Sequence, residues 1–154
     1  MQKFHFKLQP LLNRELIYES ECVGRMRAIQ DKYLKEEGKT RDMENQKILC
    51  QNDLSSKKQH DISPAELRAY EKYFLKLDSD SNSSNIKMQE MTKEYRTAQD
   101  ELVKIVKKRK ALEKLRDKWE EEYKDYLESL SIKEMDDIAM TKFANKLVAK
   151  NEKD

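Results

Sequence analysis

The sequence predicts an all-α protein, a long antiparallel two-helix coiled coil (α-hairpin) with an extended C-terminal helix. Three observations carry that expectation. First, 40% of the 154 residues are charged and 37% hydrophobic, with two Gly and two Pro. This is the usage of long, solvent-exposed helices, because a compact core would need more apolar side chains than the chain supplies. Second, apolar residues recur at alternating steps of three and four through both halves of the chain, the spacing of a helical seam. Third, one short polar stretch separates the halves and ends on a helix-start signature. The length allows one domain at most. The chain is read as a single coiled-coil domain over 1–154, with helix one at about 8–56, a turn at about 57–63 and helix two at about 64–148.

The first seam runs Leu8, Leu12, Glu15, Glu19, Cys22, Met26, Ile29, Tyr33, Glu36, Thr40, Met43, Lys47, Cys50 and Leu54. Pro10 suits the first turn of a helix, where its missing N–H costs nothing; a start further back, through Phe4, Phe6 and Leu8, stays open. Gly24 and Gly38 each cost about 1 kcal/mol relative to alanine inside a helix, and nothing in the sequence explains them. Cys22 and Cys50 are about 28 residues apart on one helix, roughly 40 Å and beyond disulfide reach. They read as small core hydrophobes.

The segment from Ser55 to Ile62 is polar and lacks periodicity. It leads into Ser63-Pro64-Ala65-Glu66, where Ser63 can cap the Glu66 N–H and Pro64 takes the first helical position. The second seam then runs Leu67, Tyr70, Phe74, Leu77, Ser81, Ser84, Met88, Met91, Tyr95, Ala98, Leu102, Ile105, Arg109, Leu112, Arg116, Trp119, Tyr123, Tyr126 and Leu130. Residues 78–85, Asp-Ser-Asp-Ser-Asn-Ser-Ser-Asn, have the composition of a loop. The apolar phase nevertheless continues unchanged across them, which a loop has no reason to preserve. The expectation is a helix that passes through, with any fraying or kink confined to this stretch.

Helices joined by so short a turn lie side by side and antiparallel, seam against seam. A turn centred near His60 puts Leu54 opposite Leu67, Met26 near Glu94 and Tyr95, and Leu12 near Arg109. Helix two outlasts helix one. From about residue 120 it has no partner within the chain, yet it carries Tyr123, Tyr126, Leu127, Leu130, Met135, Ile138, Phe143 and Leu147. Such a face calls for one.

Catalytic and ligand-binding chemistry finds no support. Asp78, Asp80 and Asn82 open like a calcium loop, but position six is Ser83 instead of Gly and position twelve is Gln89 instead of Glu. His5 and His60 belong to no ligand cluster, and there is no Gly-rich phosphate cradle. The expectation is no catalytic residue, no metal and no cofactor. A formal charge of +2 gives no global pull toward nucleic acid. The basic run Lys104 to Lys118 is interleaved with Leu102, Ile105, Val106, Leu112 and Leu115, and an acidic block from Glu120 to Glu128 follows. It therefore reads as an amphipathic helix, and its charge bands suit either docking to a charged protein or plain solubility. Arg109 and Arg116 fall on the seam, where their alkyl stems can pack while the charges reach water or a glutamate such as Glu15. Tyr73, beside the seam near the turn, is expected to be partly exposed. No apolar run approaches the length of a membrane span and the N-terminus is charged throughout, so the expectation is a cytoplasmic protein.

Four segments together resemble one family. They are Phe4-x-Phe6-x-Leu8-x-x-Leu11-Leu12-x-Arg14-Glu15, Tyr70-x-x-Tyr73-Phe74-x-x-Leu77, Arg109-Lys110-x-Leu112-Glu113-Lys114-Leu115-Arg116, and Lys133-Glu134-Met135-Asp136-Asp137-Ile138-Ala139. In order, spacing and total length the chain is similar to the FliJ family, the coiled-coil component of the bacterial flagellar type III export apparatus. The resemblance implies a non-enzymatic stalk that enters the hexameric export ATPase and promotes its assembly and activity. It also implies contact with the membrane-embedded export gate protein and with export chaperones, no nucleic acid, no direct membrane insertion, and a place at the inner membrane at the flagellar base. By matching position, Phe4, Phe6, Leu8, Arg14, Trp119, Tyr123, Tyr126, Leu130 and Phe143 would bind the ATPase. Tyr70, Tyr73, Phe74 and Leu77 would meet the gate or a chaperone. Two other classes compete: a generic coiled coil that homodimerises through its exposed seam, and a basic-helix nucleic-acid binder.

Overall fold

A computed structural model describes residues 2–153. Two helices, α1 (Gln9–Lys58) and α2 (Pro64–Asn151), pack against each other as an α-hairpin, with no strand among the described residues. The contacts group into two compact units, Ile17–Val106 and the pair of segments Met1–Leu16 and Lys107–Asp154.

In Ile17–Val106 the hairpin is built as the phase of the sequence dictates. Every seam position from Cys22 to Leu54 and from Leu67 to Ile105 is buried or half-buried, and nearly all residues between them are exposed. Cys22, Leu77, Ser84 and Ala98 form the driest part of this seam, together with Glu36. At the reversal, α1 ends on Lys57 and Lys58, cations that suit the negative end of a helix. The His60 N–H then bonds the Lys57 carbonyl at 3.0 Å. Ser63 caps α2 as its sequence requires: its hydroxyl accepts the Glu66 N–H at 3.2 Å and its carbonyl the Leu67 N–H at 3.1 Å.

Cross-helix bonds define the register. Thr40 and Ser84 hydroxyls meet at 2.9 Å, Arg25 pairs with Glu101 at 2.9 Å, Lys47 with Asp78 at 2.8 Å, and Tyr70 donates to Asp53 at 2.6 Å. Ser84 on Glu36 and the Cys22 thiol on the Ala98 carbonyl fall where a turn centred near His60 sets them, and the longer side chains reach up to about one turn further along α2. α1 continues to Lys58 and the reversal occupies 59–63. Residues 78–85 are α-helical throughout. Asp78 is tied to Lys47, and Ser84 is buried against Glu36 and Thr40. Their seam positions, together with the flanking Leu77 and Met88, hold the stretch helical against its composition.

Gly24 and Gly38 both lie in α1 with ordinary helical backbone, and a Cβ at either would meet nothing within 4 Å. No close approach of the helices demands them.

In the second unit, Leu12 and Glu15 of α1 are buried, as is Phe6 ahead of the helix. The chain before α1 is not helical, so the open question of a further-back start resolves to Gln9. The Gln9 N–H bonds the Phe6 carbonyl and the Leu12 N–H the Leu8 carbonyl, each at 3.1 Å. Pro10 thus falls in the first turn, where no N–H is needed.

Candidate functional site

No cluster of three or more metal-ligating side chains occurs among the described residues. Asp78 and Asp80 are part of a helix, which cannot wrap a cation as a loop does. Candidate function therefore rests on surfaces, and two sets of residues need placing.

The set expected at the paired ends of the chain divides into a closed cluster and an open face. Phe6, 5% exposed, meets Trp119 edge-on with ring centroids 5.5 Å apart, and Phe4 lies tilted against Tyr123 at 5.8 Å. The Tyr123 hydroxyl donates to the Gln2 carbonyl at 2.9 Å. These aromatic pairs hold the segment before α1 along α2, and so carry the intramolecular pairing past residue 120 to Tyr123. Leu8 is half-buried, and Arg14 is largely exposed with its guanidinium 3.7 Å from Glu15. Beyond Tyr123 every residue from Lys124 to Lys153 is exposed. Tyr126, Leu130 and Phe143 stand here, with Phe143 65% exposed. Leu127, Ile132, Met135, Ile138, Met140, Leu147 and Val148 share that exposure. Ile132, Met140 and Val148 fall outside the apolar positions that the sequence marks as needing a partner. Their signal was composition.

Upstream of this face the charge bands are stitched together along α2. Lys118 pairs with Glu122 and Lys124 with Glu120 at helical spacing. Arg109, mostly buried, donates to Glu113 at 2.9 Å, and Arg116 leans to Asp117 at 3.4 Å. The exposed pairs among these, Arg109–Glu113 aside, contribute under about 1 kcal/mol each and chiefly keep the helix solvated.

The second set lies in Ile17–Val106, near the turn. Leu77 is buried in the seam, while Tyr70 and Phe74 are half-buried. Tyr73 is 39% exposed, with its hydroxyl 3.4 Å from Gln46. Of the four, Tyr73 offers the most surface, beside a groove it shares with Gln46, Leu49, Cys50 and Asp53. Tyr70 is held in a small polar knot. Its donated bond to Asp53 favours the neutral phenol and raises its pKa above the ordinary tyrosine value. The Lys57 ammonium sits over the Tyr70 ring at 5.4 Å, and that tyrosine, with Asp53 behind it, raises the lysine pKa.

No helix is long and apolar enough to cross a membrane among the described residues. A family model described as flagellar FliJ protein matches residues 4–147, taking in the N-terminal aromatics, the whole hairpin and most of the exposed face. No curated protein and no solved structure matches the chain.

Proposed function

Because the chain belongs to the flagellar FliJ family, a structural component of the flagellar export apparatus, we propose that it acts there as a stalk. In this role it engages the hexameric export ATPase through the end of the chain where α2 outlasts its partner, and promotes ring assembly and hydrolysis without an active site of its own. One observation carries the proposal: the many exposed apolar side chains from Tyr126 to Val148, on a helix whose preceding turns are anchored by the Phe4–Tyr123 and Phe6–Trp119 pairs. A helix that exposes so many is made to be covered. Binding energy alone supplies a mechanism, since a stalk that prefers closed subunit interfaces shifts the ring's population toward them. In this role Tyr126, Leu130 and Phe143 are contact residues and Phe4, Phe6, Trp119 and Tyr123 are the clasp behind them. Leu8 and Arg14 flank the clasp.

The exposed Tyr73 near the turn, with Tyr70, Phe74 and Leu77 beneath it, is the surface we assign to the export gate or to an export chaperone. The two compact units then serve as one coiled-coil domain spanning 1–154, working in the cytoplasm against the inner membrane at the flagellar base.

The test is ATP hydrolysis by the cognate hexameric export ATPase with and without the full chain. Activity should rise on addition, and a chain ending at Lys118 should not raise it. Leu130→Asp with Phe143→Asp, two changes at exposed positions that leave the clasp intact, should lose most of the effect. Unchanged activity with the full chain would refute the proposal.

A further inference from the structure

The exposed reach of α2 beyond Tyr123 is divided by charge. From 125 to 137 it carries Asp125, Glu128, Glu134, Asp136 and Asp137 against Lys133 alone. From 138 to its end at Asn151 it carries Lys142, Lys146 and Lys150 against no acidic residue. All of these side chains are exposed. A second helix of the same sequence laid parallel would set acid on acid and base on base. Laid antiparallel, it sets each acidic half on a basic half.

Among antiparallel alignments, a two-fold axis through Ala139 fits the side chains. It brings Met135 opposite Phe143, Asp136 opposite Lys142 and Glu128 opposite Lys150, with the smallest apolar side chain at the crossing. Ile132, Met135, Ala139, Phe143 and Leu147 recur at helical spacing, close to one side of α2. The helical overlap, 127–151, is about 25 residues and roughly 37 Å, between three and four heptads, the length over which coiled-coil pairing is sustained.

We propose that this face is a self-association surface, and that its occupant is the same reach of a second copy of the chain, packed antiparallel about a two-fold axis at Ala139. The interface is isologous, so it closes at a dimer and does not propagate. Self-pairing and the ATPase contact proposed above would use overlapping residues and exclude one another, but the dimer does not depend on that contact.

Sedimentation and light scattering of the full chain, from micromolar to millimolar concentration, test the dimer without the ATPase. The mass should rise from 18.5 kDa to twice that value, and the rise should need higher concentration as salt screens the charges. Glu128→Lys with Asp136→Lys should abolish dimerisation, and adding Lys142→Glu and Lys150→Glu to the same chain should restore it. Circular dichroism of each variant as a monomer checks that the helices persist.

Orientation is read by oxidation in a Cys22→Ala, Cys50→Ala chain. Ala139→Cys copies should cross-link. Ser131→Cys copies, about 24 Å apart in the antiparallel pair, should not. An 18.5 kDa mass at every concentration would overturn the proposal and leave the face to a different protein. A dimer that cross-links equally well at both positions, or that ignores the charge reversals, would overturn it too.

Discussion

Ser84 on α2 donates a 2.7 Å hydrogen bond to the Glu36 carboxylate on α1, and both residues are buried in the seam. The Thr40 hydroxyl reaches both the Ser84 oxygen and the Glu36 carbonyl, at 2.9 and 3.1 Å. A polar layer inside an apolar seam favours one register over its neighbours, since a slip would leave the buried groups without partners.

That layer makes the hairpin sensitive to acid. The Ser84 bond, aided by Lys39 and Lys87 and opposed by desolvation, holds the Glu36 carboxyl below its ordinary pKa. A carboxyl lowered in the folded state contributes stability above the ordinary carboxylate range, and that contribution is lost as pH falls through the folded value. The midpoint of thermal unfolding of the native chain should therefore fall between about pH 5 and pH 3 more steeply than that of Ser84→Ala. The variant itself should melt several degrees lower at neutral pH. Parallel curves of melting temperature against pH would show that the bond has no such role.

Gly24→Ala and Gly38→Ala should each stabilise the chain by about 1 kcal/mol, since the added methyl meets open space and the helix gains propensity. That corresponds to a melting midpoint higher by about 2–4 °C per substitution. The two effects should add, because the sites lie on separate turns of α1. A fall in either variant would mean that the glycine serves something other than stability.

Phe6→Ala should open the aromatic clasp. Removing a packed Phe costs about 3–5 kcal/mol, and here the loss should appear mainly as release of the segment ahead of α1. Trp119 is the single tryptophan, so its fluorescence reports the event directly. Its emission should shift to the red while amide exchange across Ile17–Val106 stays slow. Unshifted emission would contradict the packing of these two rings.

The two thiols should react in sequence. Cys22 is fully buried with its S–H directed at the Ala98 carbonyl, 3.1 Å away, whereas Cys50 is half-buried beside an open groove. An aromatic disulfide reagent should titrate one thiol per native chain quickly and the second only as denaturant unfolds the hairpin. Equal rates in the native state would argue that the seam at Cys22 opens readily.

Much of this architecture is legible in the order of residues. Alternating steps of three and four mark the buried positions one by one, including Ser81 and Ser84 within a stretch whose composition suggests a loop. The Ser63-Pro64-Ala65-Glu66 cap is equally readable, because a cap is made by residues within one turn of each other. The candidate surfaces are half-legible. Apolar residues without an intramolecular partner stand out after Tyr123, but Phe6, similar in sequence to its exposed neighbours, turns out to be buried.

The helices, their faces and the place of the reversal follow from the chain alone, since propensity, capping and heptad phase depend on neighbours a few residues away. The place of the reversal bounds the register only to within about a helical turn, since Ser84 bonds both Glu36 and Thr40. Which α1 residue meets Ser84 depends on how knobs of one helix fit holes of the other, and phase repeats identically at every heptad. The same holds for the clasp, where Phe4 and Phe6 find Tyr123 and Trp119 only once the hairpin has brought the two ends of the chain together.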